Sequence, residues 1–316
     1  MKTGLVIIGR NEGQRLVACL TSVVGQGRPV VYVDSGSSDG SVEAARRLGA
    51  EVVALDMARP FTAARARNEG FARLNQLHPG LDAVQFIDGD CVMDAGWLPV
   101  AERFLAEHPD VAALAGRLRE RHPEASVYNA MADLEWSSPE GETQAVGGVA
   151  LMRVASFMAC GGFDEALIAG EEPELCVRLR AHGWRIWRLA NGMATHDMAM
   201  TRFSQWLRRS RRAGFAFAAV AVKHWSSPQA IWKREVLRAL FWGLALPLAI
   251  LALGCIWPVL FALLLVYPLQ VARLALRRGW AYGFLITTAK FAEAAGILSY
   301  AFQHIGGGKH QIIEHK

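Results

Sequence analysis

Short apolar runs alternate with amphipathic stretches through the first ninety or so residues of the chain. Residues 5–8, 30–33, 51–54 and 83–87 read as buried strands, and residues 13–24, 41–48 and 62–74 as the helices between them. Strands that are apolar throughout, separated by helical periods, imply βαβ units and a parallel sheet. Ligands of such sheets sit at the carboxyl ends of the strands. Two acidic turns fall there: the segment from Asp34 to Gly40 after the second strand, and Asp88-Gly89-Asp90 directly after the fourth. Further on, the pattern predicts helices at 95–107, 125–136 and 173–182, strands at 111–119, 146–152 and 186–189, and a loop over 161–172. An amphipathic helix with a basic face is expected over 201–221.

A different pattern begins at Ala239, from which no charged residue occurs until after Ala272, a run of 34 positions. One straight helix of that length would measure roughly 51 Å, against a hydrocarbon core of about 30 Å. Two spans of about 17 residues just fit, with the turn near Gly254 and Pro258. Cations flank both ends of the run and none sit at the turn, which places both ends on the cytoplasmic side. Residues 282–305 are less apolar and carry Lys290 and Glu293, three apart and able to pair, so this segment either spans or, the favoured reading, lies in the interface. The resulting division is a catalytic domain over 1–225, a membrane-anchoring region over 226–305 and a flexible tail over 306–316. A chain ended near Lys223 is expected to stay soluble without detergent.

Composition supports this division. Hydrophobic residues make up 52% of the 316, and most of the excess lies in the uncharged run. The net charge of +5 could point to nucleic acid, but the cations gather beside the apolar run: Arg208, Arg209, Arg211 and Arg212, then Lys233, Arg234 and Arg238, then Arg273, Arg277 and Arg278. That placement suits anionic headgroups, and nucleic acid is not an expected partner. The five cysteines are scattered without a CxxC pair, so neither a disulfide framework nor a zinc site is read. Residues 5–8 are too short an apolar run for a secretory leader, so the N-terminal domain is expected at the cytoplasmic face of the inner membrane.

The chemistry is carried by acidic groups. Two carboxylates separated by one small residue, as in Asp88-Gly89-Asp90, can converge on a divalent cation and its diphosphate ligand. Alone, such a triplet is more often a solvated turn. Likewise Glu171, Glu172 and Glu174 at the opening of a helix complement its dipole whatever else they do, and His196 alone would more often be structural.

Their order changes the weight. Asn11-Glu12, then Asp34-Ser35-Gly36-Ser37-Ser38-Asp39-Gly40, then Ala66-Arg67-Asn68-Glu69-Gly70 precede the triplet. Gly161-Gly162-Phe163-Asp164-Glu165, Glu171-Glu172-Pro173-Glu174 and Thr195-His196-Asp197 follow it. In this ordered set the chain, over roughly residues 4 to 215, resembles the family-2 glycosyltransferases. The resemblance implies an α/β GT-A fold, a Rossmann-like mixed sheet flanked by helices, here followed by C-terminal membrane helices. It also implies a nucleotide-sugar site of Asn11, Glu12, Asp34, Ser35, Arg67, Asp88, Gly89 and Arg208, and a metal, Mg²⁺ or Mn²⁺, on Asp90, Asp88 and His196. The Asp34 turn would hold base and ribose, and Ser35 replaces a second acid often found there. The catalytic base falls on Glu172 or Glu171, where the family usually has aspartate; nearby Arg178 or Arg180 would help to set its pKa. Gln205-Trp206-Leu207-Arg208-Arg209 resembles the QxxRW motif of processive members with Arg for Trp, which implies addition of a single sugar.

The function expected from these features is metal-dependent, inverting transfer of one sugar from a nucleotide diphospho-sugar to a membrane-associated, lipid-linked glycan acceptor in surface polysaccharide or glycolipid synthesis. The alternatives are a sugar nucleotidyltransferase, which would open with a Gly-rich, cationic phosphate loop that Ile7-Ile8-Gly9-Arg10-Asn11 does not supply, and a non-catalytic scaffold, which intact acidic motifs argue against.

Overall fold

The computed structural model describes residues 1–305, so the expected tail, 306–316, lies outside the described residues. The first half runs β1 (Thr3–Gly9), α1 (Gln14–Val23), β2 (Val30–Asp34), α2 (Ser41–Arg47), β3 (Glu51–Ala54), α3 (Ala63–Leu77) and β4 (Ala83–Asp88). Leu5, Val6 and Ile7 of β1 are fully enclosed, because β1 lies between β2 and β4 with helices on both faces. These strands are parallel, as their continuous apolar runs predict. Their register sets Gly9 beside Asp34 and Ile8 beside Asp88, so both acidic turns leave the same edge of the sheet.

After β4 come β5 (Cys91–Met93), α4 (Trp97–Glu107), β6 (Val111–Glu120), α5 (Val127–Trp136), β7 (Gly141–Glu142), β8 (Ala150–Arg153), α6 (Val154–Ala159), α7 (Glu171–Ala181) and β9 (Arg185–His196). Among the described residues the strands form one sheet in the order β3-β2-β1-β4-β8-β6-β9-β5, with β7 on β9. Here the sheet becomes mixed, as the resemblance implies: β8 runs antiparallel to β4 and β6, and β5 and β7 antiparallel to β9.

Three local differences from the sequence pattern matter for the site. The strand expected over 146–152 starts only at Ala150, because Gly147 and Gly148 leave the sheet. The strand expected over 186–189 continues to His196, carried past Asn191-Gly192 by shifts of register against β6. Helix α7 begins at Glu171 rather than Pro173, after Gly170 turns the chain with a φ of 86° that suits glycine.

Two compact units emerge. The first comprises Met1–Ala125 and Ala132–Ala199; the second takes Ser126–Met131 and the described residues from Met200 onward. The second contains α8 (Phe203–Lys223), α9 (Lys233–Leu240), α10 (Leu246–Ile256), α11 (Val266–Arg278) and α12 (Trp280–Ile305). Helices α8 and α12 pack so closely that Gly214 lies on the Glu293 backbone and Gly296 on the Arg211 backbone. Phe215 meets Tyr300 edge to face at 5.4 Å. Helix α8, expected within the 1–225 domain, therefore belongs with the C-terminal helices. A chain ended near Lys223 would uncover Phe215 and the buried alanines around it. Two stretches, Lys233–Ile256 and Pro258–Arg278, are long and apolar enough to cross a membrane.

The seating of α3 on the sheet rests on one missing side chain. A Cβ at Gly70 would come within 2.5 Å of Val6 Cγ1 and 2.7 Å of Val33 Cγ2. Gly70→Ala is expected to destabilise the first unit by ~1–3 kcal/mol. Urea unfolding followed by near-ultraviolet signals should show a lower midpoint at unchanged slope; an unchanged midpoint would refute this packing.

Candidate active site

Arg67 is the buried centre of the acidic region. Its second helical turn on α3 aims the guanidinium at the carboxyl edge of the sheet, where Nη2 meets Asp88 Oδ1 at 2.8 Å. Nη1 meets Glu171 Oε1 at 2.7 Å and Glu172 Oε1 at 2.8 Å. The side chain of Arg67 is 3% exposed, those of Glu171 and Glu172 5% and 12%. Burial works against the guanidinium charge, but Glu172, Asp88 and Glu171 outweigh it and raise the Arg67 pKa. Burial likewise pushes Glu172 upward, the Glu171 charge adds to this and Arg67 opposes it, leaving the carboxyl at about 7. Gly148 closes the cluster from the side: a Cβ there would sit 2.6 Å from Arg67 Nη2, 2.7 Å from Asp88 Oδ2 and 3.2 Å from Glu172 Oε1.

Arg178, one of the two arginines expected beside the base, is engaged elsewhere. Arg178 pairs with Glu174 at 2.7 Å and donates to the carbonyls of Cys160 and Gly162. Those bonds fix the glycine turn ahead of α7. The cation that opposes the upward push on Glu172 is Arg67.

Asp90 lies on the other side of Gly89. Its Oδ1 is 3.1 Å from His196 Nε2, because β5 pairs with the end of β9 and sets Cys91 opposite His196. Asp90, Cys91 and His196 offer ligand atoms that lie within 4.8 Å of one another, while Asp88 is not in this group. A carboxylate, an imidazole and a thiol fit a divalent cation, and a set containing nitrogen suits Mn²⁺ better than Mg²⁺, which prefers oxygen throughout. Trp136 packs edge to face on His196 with centroids 5.0 Å apart. Glu120, buried opposite His196 in the β6–β9 register, accepts from the backbone N–H groups of His122 and Met198 and so holds the end of β9.

The remaining predicted residues line the β1 and β2 ends. Asp34 Oδ2 accepts from the N–H groups of Gly36 and Ser37 at 3.0 and 2.9 Å, and Oδ1 accepts from the Tyr32 hydroxyl at 3.0 Å. Its carboxylate thus shapes the turn that presents Ser35. Asn11, with a φ of 54°, accepts from Ser38 N–H at 2.8 Å and locks the β1 loop to the same turn. Glu12 is buried and pairs with Arg15 at 2.7 Å. Gly89 donates its N–H to Ile8 at 2.8 Å. Arg208 is an exposed residue of α8, in the second unit.

The sequence reading places none of Gly148, Trp136, Cys91 and Glu120 in the site.

A family description, glycosyl transferase family 2, matches residues 5–167. The chain is 30% identical over 233 residues to a pre-mycofactocin glycosyltransferase of Mycobacterium tuberculosis, covering 70% of this chain and 47% of the relative. It is 32% identical over 170 residues to succinoglycan biosynthesis protein ExoA of Rhizobium meliloti, covering 50% of each. The chain thus spans about half the length of these curated relatives. Among solved structures, mannosyltransferase PcManGT from Pyrobaculum calidifontis, in complex with GDP-Man and Mn²⁺, superimposes with a TM-score of 0.67 at 20% identity, covering 96% of this chain and 87% of that one. At that identity the likeness is one of fold: a mixed α/β sheet of GT-A type.

Removing the buried cation should expose what it neutralises. Arg67→Met is expected to cost ~3–5 kcal/mol at pH 8, since three carboxylates lose their partner. The deficit should shrink as pH falls, because carboxyls without a cation bind protons more readily. Thermal denaturation across pH 5 to 8 checks both; a deficit that grows toward acid would contradict the arrangement.

Proposed function

This chain belongs to glycosyl transferase family 2, and we propose that it moves a single sugar, with inversion, from a nucleotide diphospho-sugar to a membrane-associated, lipid-linked glycan. The observation that carries this reading is the pair of adjoining clusters at the carboxyl edge of the sheet. Arg67 gathers Asp88, Glu171 and Glu172, and Asp90 meets His196 one residue beyond Gly89.

A divalent cation on Asp90 and His196, Mn²⁺ by the donor set, would neutralise the charge that develops on the departing diphosphate. The turn built by Asp34 and Asn11 presents Ser35 to the base and ribose, with Asp88, whose side chain is 35% exposed, toward the donor. Glu172 serves as the base. It is the more open of the two α7 carboxylates that face Arg67, and its raised proton affinity lets it take the acceptor hydroxyl's proton near neutral pH. Glu171, more enclosed, anchors Arg67. Inversion needs only this one base, since attack comes opposite a leaving group that is stabilised electrostatically and requires no general acid. Trp206, in the Gln205–Arg209 motif, is 1% exposed and cannot offer a stacking face to a polymer, which suits addition of one sugar. The apolar C-terminal helices and their flanking cations favour an acceptor at the cytoplasmic face of the inner membrane.

Asp90→Ala and Glu172→Gln should each lower turnover at least about a hundredfold. Both variants should retain the far-ultraviolet spectrum of the parent. Full activity in both would sink the assignment. Anomeric coupling constants of the early product, read by proton NMR, should show the configuration opposite to that of the donor.

The pH dependence has two opposite signs. As a base Glu172 must be ionised, so kcat/KM should rise tenfold per unit up to about pH 7 and then level off. Its contribution to stability runs the other way: a carboxyl whose pKa is raised on folding stabilises when protonated, and that gain is lost as pH climbs through about 7. Glu172→Gln should abolish the stability change over this interval. A pH-independent kcat/KM between 5 and 8 would remove Glu172 from the role of base.

A further inference from the structure

The uncharged run does not fold as two straight rods. Helix α9 is followed by a wide π turn over Phe241–Ala245, α10 ends at Ile256, and Pro258–Leu265 is a 3₁₀ segment leading into α11. Gly243, in the π turn, lies on the Lys290 backbone of α12, and Gly283 of α12 lies on Val271 of α11. The chain is therefore held to α12 both before and after the loop it makes in between. Within that loop α10 and the 3₁₀ segment fold back on each other, with Gly254 against the Phe261 ring. The principal contacts of α12 are with α8, α9, the π turn and α11, whereas those of the two arms are with each other and with the π turn.

We propose that residues 246–265 form a hairpin that enters one leaflet of an anionic bilayer without crossing it, and that this seats the chain on the membrane from one side. Length is the first argument. An α-helical arm of 11 residues is about 16 Å long, and a 3₁₀ arm of 8 residues about the same. Half of the hydrocarbon core is about 15 Å.

The surface supplies the second argument. Leu248, Leu251, Ile256, Val259 and Leu265 are between 47% and 78% exposed, and no charged side chain lies anywhere on the arms. Part of the tip's backbone is satisfied within the hairpin: Pro258 has no N–H, the Trp257 N–H donates to the Leu253 carbonyl at 2.8 Å, and the Leu260 N–H donates to the Trp257 carbonyl at 2.9 Å. A loop emerging on the far side would place these apolar residues in solvent.

The third argument is the order of chemistry away from the tip. At the neck the Tyr267 hydroxyl donates to Trp242 at 2.8 Å and its ring meets Phe291 at 5.4 Å, an aromatic collar of the kind found at headgroup depth. Beyond the collar come Lys233, Arg234 and Arg238 on α9 and Arg273, Arg277 and Arg278 on α11. Apolar tip, aromatic neck and cationic shoulders match one leaflet read from its midplane outward.

Cys255 beside the tip is exposed, whereas Cys19, Cys91 and Cys176 are buried. This permits a direct test on the full chain carrying Cys160→Ser, added to sealed phosphatidylglycerol–phosphatidylethanolamine vesicles. A membrane-impermeant maleimide should fail to modify Cys255 whether supplied outside or trapped inside, and should react once detergent is added. A nitroxide on Cys255 should report a depth of about 15 Å, near the midplane. Modification from the lumen would mean that the hairpin crosses; modification from outside would mean that it does not insert. Either result overturns the proposal. Replacing Arg273, Arg277 and Arg278 by Gln should weaken binding to these vesicles about a hundredfold, and equal binding of the unsubstituted chain to neutral and anionic vesicles would overturn the anionic preference. None of these readouts depends on sugar transfer, so they stand or fall apart from the catalytic reading.

Discussion

Two buried carboxylates, Glu171 and Glu172, and the partly exposed Asp88 crowd one edge of the sheet, and Arg67 is the cation among them. Much of the first unit can be understood as what keeps it in place. Gly70 lets α3 settle against β1 and β2, and Thr62 caps the helix by accepting from Arg65 N–H. Arg65, itself buried, ties the preceding loop by donating to the carbonyls of Asp56 and Arg59. Beside Arg67, Asn68 exchanges two hydrogen bonds with Phe163 and so fixes the approach to α7. The helix that carries the cation and the helix that carries two of the acids are thus positioned by adjacent residues.

β1 and β2 could be read from the sequence because each is enclosed by the sheet and its helices and gives an apolar run, and β3 and β4 followed from their short apolar cores between helical periods. Beyond them the pattern was less informative. β5 is only three residues long, and β9 passes through Asn191-Gly192, where the apolar signal stops although pairing to β6 continues. His196 was recognised by its place in an ordered motif set; that it would meet Asp90 depended on strand pairing that no local signal reveals. Arg178 illustrates the opposite failure. Proximity in sequence suggested it as a partner of the base, but it lies about two turns further along α7 and pairs with Glu174, one turn away, instead. The cation that does the work comes from 104 residues away.

The Asp88-Gly89-Asp90 triplet behaves differently from a single two-pronged clamp. Asp88 faces the arginine cluster and Asp90 faces His196, with Gly89 bonded to β1 between them. One triplet thereby joins two clusters, the carboxylates around Arg67 and the Asp90–His196 pair, across the width of a single residue. In the second unit the same economy appears in another form: the polar and apolar parts of one continuous run are sorted by a π turn and a proline, without any insertion of charge.

Gly148 shows how far such crowding constrains inheritance. It contributes no functional group, yet the space where its side chain would be is filled from three directions by Arg67, Asp88 and Glu172. A carboxylate in this cluster can differ by one methylene from glutamate to aspartate, and a neighbouring backbone can absorb the difference. A hydrogen atom has no smaller relative. Among descendants of this chain, the narrowest range of tolerated residues should therefore be found at a position whose contribution is purely one of volume.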